Sequence, residues 1–137
     1  LSDLVSLSNL QGLDVTAHGI TAGGMPFIGK LHELRLLDLT GNSPDDASLE
    51  HLRGLQELRF LSLNLAPIGD VGLKHLGALS SLRRLQLAGT SISGEGLAHL
   101  ASLQNLLVLA LRETDVSSEA VARLQSELPH CQILLDE

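Results

Sequence analysis

Leucine recurs in this chain with a step of 24 residues. Leu10, Leu34, Leu58, Leu82 and Leu106 define the frame, and six further apolar columns keep to it without one insertion. Counted from each of these leucines as zero, +3 holds Leu13, Leu37, Leu61, Leu85 and Leu109, and +5 holds Val15, Leu39, Leu63, Leu87 and Leu111. Offset +10 holds Ile20, Pro44, Ile68, Ile92 and Val116, and +15 holds Met25, Leu49, Leu73, Leu97 and Val121. Offset +18 holds Ile28, Leu52, Leu76, Leu100 and Leu124, and +21 runs through Leu31, Leu55, Leu79 and Leu103 before breaking at Glu127. A fixed period of this length is the signature of a stacked array, in which each unit is one supersecondary element.

Two local periods lie inside each unit. LxxLxL alternates apolar and polar residues, which predicts short strands near 36–40, 60–64 and 84–88. The columns at +15, +18 and +21 form one stripe of a helix. Between them, +11 carries Thr21, Asp45, Gly69, Ser93 and Ser117, all acceptable N-caps. Offset +14 is small throughout (Gly24, Ser48, Gly72, Gly96, Ala120), as expected where a helix start presses on a sheet. Seven inward apolar positions at roughly 2 kcal/mol each supply about 14 kcal/mol. Ordering the backbone costs roughly 1–2 kcal/mol per residue, which is more. One repeat alone should therefore not fold, and stacking must supply the difference. The expected fold is α/β: a solenoid of about six parallel strands with helices on the outside.

The domain reading follows the frame. Residues 1–137 form one domain, with 1–9 as the remnant of a preceding repeat and repeats at 10–33, 34–57, 58–81, 82–105 and 106–129. Residues 130–137 form a C-terminal capping strand, because Ile133 and Leu135 fall on +3 and +5 of a sixth unit. Leu1, Leu4 and Leu7 fall on +15, +18 and +21, so the chain opens in mid-repeat and is expected to be cut from a longer array. Open ends of this kind make self-association through edge strands plausible.

The segments LRLLDLTGN (34–42), LRFLSLNLAPI (58–68) and LRRLQLAGTSISGEGLAHLASLQN (82–105) resemble leucine-rich repeats. They are most similar to the 24-residue bacterial type, with Gly-Leu opening the helix, and LPHCQI (128–133) resembles the closing segment of such domains. The resemblance implies a horseshoe arc that binds partners, commonly proteins, on its concave sheet. Three departures are visible. His18 and Ala66 replace the buried polar residue of the +8 column that Asn42, Thr90 and Thr114 supply, Pro44 stands at +10, and Leu128 falls at +22 with Pro129 behind it.

Composition narrows the function classes. Nine basic against sixteen acidic residues, a net charge of −7, weigh against nucleic acid and anionic membrane as partners. No apolar run is long enough to span a bilayer, so no membrane insertion is expected. The single Cys131 excludes an internal disulfide framework and a multi-cysteine zinc site. His51, His75 and His99 share +17, but Phe27 and Arg123 hold the same column, which favours a surface file over metal ligation. His130 and Cys131 are neighbours at the mouth of a strand, where side chains point to opposite faces. No cofactor, metal site or catalytic set is expected.

The informative variation lies on the concave strand at +2, +4, +6 and +7, which the core does not dictate. The candidate partner-binding residues there are Leu36, Asp38, Phe60, Asn64, Leu65, Arg84, Gln86, Val108, Arg112 and Glu113. Leu36, Phe60 and Val108 make an apolar strip with Arg84 and Arg112 nearby, a composition typical of interaction hot spots. The leading expectation is a module that binds a protein or peptide. The alternatives are a scaffold or spacer segment of a larger protein and, less favoured, a hydrolytic enzyme using His130 and Cys131.

Overall fold

A computed structural model of the chain describes Asp3 and residues 6–136. Leu1 and Leu4 of the remnant repeat lie outside the described residues, as does Glu137 of the capping segment. The strands are β1 (Gly12–Asp14), β2 (Leu36–Asp38), β3 (Phe60–Ser62), β4 (Arg84–Gln86), β5 (Val108–Ala110) and β6 (Gln132–Leu134). They form one six-stranded parallel sheet in chain order. Each residue pairs with the one 24 positions on, as in Gly12↔Leu36, Leu36↔Phe60, Phe60↔Arg84, Arg84↔Val108 and Val108↔Gln132.

The strands end two residues earlier than the alternation predicts, although inter-repeat hydrogen bonding continues past them. The +5 N–H of Leu39 donates to Ser62 O at 2.9 Å, and the +7 N–H of Leu65 donates to Ala88 O at 2.8 Å. The regular ladder stops because the +7 residue turns into the left-handed region. Ala17, Gly41, Leu65, Gly89 and Glu113 all have φ between 53° and 72°.

The convex side is less helical than the periodicity implies. It consists of α1 (Met25–Ile28), α2 (Asp70–Leu76), α3 (Gly94–Leu97) and α4 (Ser118–Glu127), with 3₁₀ turns at Ala22–Gly24, Ala47–Leu52 and Ala98–Ser102. Only α4 has more than two turns. Around Pro44 the segment is 3₁₀ rather than α, and Pro44 itself is buried. The leucine and isoleucine columns of the three central repeats are almost completely buried, as is Met25 of the first, and they make one continuous core with Cys131 at its end.

Hydrogen bonds between repeats explain the small +14 column differently from the sequence reading. Asp46 Oδ1 accepts the N–H of Gly69 in the next repeat at 2.8 Å, and Asp70 Oδ1 accepts that of Ser93 at 2.8 Å. Asp70 also takes the Ser93 hydroxyl. Each carboxylate occupies the space a side chain at +14 of the next repeat would need. A Cβ on Gly72 would lie 2.6 Å from Asp46 Oδ1, and one on Gly96 would collide with Asp70 Oδ1. The backbone N–H at +11 is thus bonded from the preceding repeat at Gly69 and Ser93. Thr21 and Ser93 make no side-chain cap bond, whereas Ser117 accepts the N–H of Ala120 at 3.1 Å and Asp45 accepts that of Ser48 at 2.8 Å. Where +12 lacks a carboxylate (Ala22, Gly94), the following +14 residue carries a side chain (Ser48, Ala120).

The +8 ladder is interrupted as expected. Asn42 Oδ1 accepts the N–H of Ile20 at 2.8 Å and its Nδ2 donates to Val15 O at 2.9 Å, tying two repeats together. Thr90 and Thr114 bond only within their own repeats, to Leu87 O and Leu111 O. At the C-terminal end the shifted Leu128 is buried, and Gln125 Nε2 donates to Leu128 O at 3.0 Å and Cys131 O at 2.8 Å. That pair of bonds turns the chain from α4 into β6.

Two predictions follow from these contacts. A Cβ at Gly94 would meet Ala120 Cβ at 2.7 Å, so Gly94→Asp alone should cost about 1–3 kcal/mol by overpacking. Combining it with Ala120→Gly should recreate the carboxylate cap. Urea unfolding of the four chains of the cycle should then give a favourable coupling of at least about 1 kcal/mol; strict additivity would refute the Asp–Gly complementarity. Cys131 is 4% exposed, and burial pushes its thiol above the usual range. Ellman's reagent at pH 8 should react with it slowly in the native chain and rapidly in denaturant.

Candidate binding surface

Because +3 and +5 point into the core, the alternating positions face the open side of the sheet. Parallel pairing at a constant step sets Leu36, Phe60, Arg84 and Val108 side by side on β2 to β5. Leu36 and Arg84 are exposed, while Phe60 and Val108 are half-buried. At strand spacings of about 4.8 Å these four side chains form one continuous row. Arg112 does not join them. It lies four residues beyond Val108, roughly 13 Å away at 3.3 Å per residue, at the other edge of the sheet.

The +4 and +6 positions are less available than the alternation implies. Ser62 is fully buried, although its column was expected to face solvent. Its hydroxyl shares a 2.7 Å hydrogen bond with Thr40 Oγ1. Asp38 Oδ1 accepts the N–H of Thr40 at 3.0 Å. Asn64 Oδ1 accepts the N–H of Ala88 at 2.8 Å, and its Nδ2 donates to Gln86 Oε1 at 3.1 Å. Asp38 is thus engaged within its own repeat, while Asn64 and Gln86 join neighbouring ones, and a ligand reaching any of them must compete with these bonds.

The +7 side chains stand clear of it. Leu65 is 62% exposed with φ at 64°, and it lies over Gly89, where a Cβ would meet Leu65 Cδ2 at 2.6 Å. A leucine in the left-handed region carries roughly 1–2 kcal/mol of backbone strain that glycine avoids. Gly41 and Gly89 do avoid it at the same offset. Ala17 and Glu113 share this conformation, so the strain belongs to the column, and Leu65 is its exposed apolar member. Glu113 repeats the conformation at φ 56°, and its N–H donates to the Asp136 carboxylate at 3.0 and 3.1 Å.

One column escaped the sequence reading. Offset +1 holds Gln11, Arg35, Arg59, Arg83 and Leu107, all exposed. The same 24-residue step reveals it, but +1 precedes the alternating stretch and lies outside the strands. Leu107, 52% exposed, extends the apolar strip next to Val108.

The other candidate chemistries find little support in the geometry. Among the described residues no group of three His, Cys, Asp or Glu side chains is placed to hold a metal ion. His75 Nδ1 contacts Arg53 Nη1 at 3.3 Å, and His51 lies 4.0 Å from Glu50. The packing role of this column belongs to its backbone, since a Cβ on Gly77 would lie 2.5 Å from the His99 carbonyl oxygen. Cys131 is buried beside the exposed His130, with Sγ 3.9 Å from Gln132 O. Among the described residues no helix is long and apolar enough to cross a membrane.

Leu65→Gly provides a check on the strained position. It should leave stability unchanged or raise it by up to about 1 kcal/mol, strain relief being offset by the extra freedom of glycine in the unfolded chain. A loss above about 1 kcal/mol in thermal unfolding would assign Leu65 a structural role instead.

A leucine-rich-repeat family model matches residues 78–101. No curated protein sequence matches the chain closely enough to count as a relative. Among solved structures, internalin C2 of Listeria monocytogenes is similar at 27% identity and a TM-score of 0.85, over 99% of this chain and 56% of that one. An internalin (InlF) of the same organism gives 20% identity and a TM-score of 0.78 over 100% of this chain and 37% of that one. A leucine-rich-repeat protein of Leptospira interrogans gives 21% and 0.60, over 96% and 38%. The chain thus spans about half the length or less of these structures. With its 24-residue columns and single open parallel sheet, the chain has the leucine-rich-repeat solenoid fold, similar to that of these bacterial proteins.

Proposed function

We propose that the chain is an interaction module whose concave sheet takes up a protein or peptide. The row Leu36–Phe60–Arg84–Val108, continued by Leu107 and overlooked by Leu65, carries this reading. Apolar and guanidinium side chains lie together on a rigid sheet there, and the core gives no reason for them. The solved structures that the chain resembles carry the same fold, which commonly serves protein interaction. A second reading, a spacer segment of a larger protein, draws support from the 56% or less of those structures that the chain spans. The hydrolytic alternative is weaker, because burial holds the Cys131 thiol neutral and away from substrate.

The test begins with affinity capture on the intact chain and proceeds to quantified binding of whatever is recovered. Phe60→Ala with Arg84→Glu should weaken binding at least tenfold, as for a hot-spot pair. Val71→Ala, at an exposed apolar residue of α2 on the convex side, should leave it unchanged. Undiminished binding by the Phe60/Arg84 variant would remove the concave face from the interaction.

A further inference from the structure

The +1 residues form one file because the carbonyls of Gln11, Arg35, Arg59 and Arg83 each accept two N–H groups from the next repeat. Arg35 O takes Arg59 N–H at 2.8 Å and Phe60 N–H at 3.0 Å. Arg59 O takes Arg83 and Arg84 at 2.8 and 3.0 Å, and Arg83 O takes Leu107 and Val108 at 2.7 and 3.0 Å. Three consecutive strands thus present Arg35, Arg59 and Arg83 about 4.8 Å apart, with Arg84 directly beside them on +2. Four of the nine cationic side chains of a chain with net charge −7 stand on this one edge.

None of the four forms an ion pair among the described residues. Among the described residues the ion pairs are His51–Glu50 and Arg123–Glu119, and no carboxylate lies within 4.0 Å of any of the four arginines. Glu33 and Glu57 line the groove around Arg35 and moderate its charge. At the equivalent places in the next two repeats stand the uncharged Ser81 and Asn105. Between Arg59 and Arg112 the only carboxylates are Asp70 and Glu95, both on the convex side. Neighbouring unit charges at this spacing repel by roughly 1 kcal/mol even in water. A partner bearing carboxylates would turn that repulsion into bidentate attraction, the geometry guanidinium is built for.

We infer that this edge of the sheet seats an extended, acidic segment of a partner protein. Its carboxylates lie on Arg59, Arg83 and Arg84, and an apolar side chain packs against Phe60 or Leu107, which flank Arg83 and Arg84. Alternate residues of an extended segment face one way about 6.8 Å apart, within reach of long side chains rising from strands 4.8 Å apart. The apolar neighbours favour a peptide over a nucleic acid, as does the acidic remainder of the chain, which repels a long polyanion. The inference deepens the concave-face reading and rests on it.

Random twelve-residue peptides displayed on phage and panned against the intact chain provide the test. The enriched peptides should carry an excess of Asp and Glu with at least one Leu, Ile or Phe. Synthesised, they should lose affinity at least tenfold with Arg83→Glu/Arg84→Glu and less with the Gln pair, and should weaken as salt rises. Arg53→Glu on the convex side should have no such effect, and circular dichroism should show all variants folded. Enriched peptides without acidic excess, sensitive to Phe60→Ala but not to the arginine changes, would overturn the acidic-segment inference and leave the concave face standing. Peptides indifferent to both changes, or no enrichment, would count against both. A ten-residue oligothymidylate binding as tightly as the best peptide would also overturn it, since the edge would then be a general polyanion site.

Discussion

The hydrogen-bonded pairing of each repeat with the next at a constant step of 24 is the constraint on which the other features depend. A parallel strand cannot satisfy its backbone alone, and a leucine stripe cannot bury itself alone. Stacking answers both needs at once, and it has a consequence for everything else. Any residue type that recurs at one offset becomes a physical file running along the solenoid. Leucine files make the core, the +7 file makes a line of left-handed turns, and the +1 file lines up arginines. Functional chemistry on such a scaffold is therefore a matter of columns rather than of single residues in a pocket.

The same logic accounts for the interfaces between turns on the convex side. A carboxylate at +12 reaches forward to a backbone N–H at +11 of the next repeat, and the +14 residue beside it must then be glycine. Where the carboxylate is missing, the side chain at +14 returns. Asp46 with Gly72 and Asp70 with Gly96 are therefore units of packing, each held by a charge-assisted hydrogen bond. Gly94 with Ala120 is the complementary solution with the bulk moved to the other partner. The structure is tolerant at each site and restrictive for each pair.

Much of the architecture was legible in the residues. The leucine columns mark the core, the LxxLxL alternation marks strands β2 to β4, and the shifted Leu128 with Pro129 marks the end of the last helix. The binding surface was legible in part. Leu36, Phe60, Arg84 and Val108 fall into one row as the spacing implies. Ser62, Asn64 and Gln86 do not behave as free surface, because short polar side chains on adjacent parallel strands bond to each other before they bond to anything else. The arginine file was missed because its offset precedes the alternating stretch, although its period is as regular as that of the leucines.

The division has a physical basis. Burial of apolar area is non-directional and roughly additive, so a periodic sequence determines by itself where the core, the strands and their order will be. Hydrogen bonds and charge contacts depend on which side chains from different repeats come within about 3 Å of each other. Only the stacked structure decided that Asp46 belongs with Gly69 and Gly72, that Asn64 is engaged by Gln86 and Ala88, and that Arg35, Arg59 and Arg83 share one edge. The leucines determine the fold; the contacts between its turns select the surface left free to act.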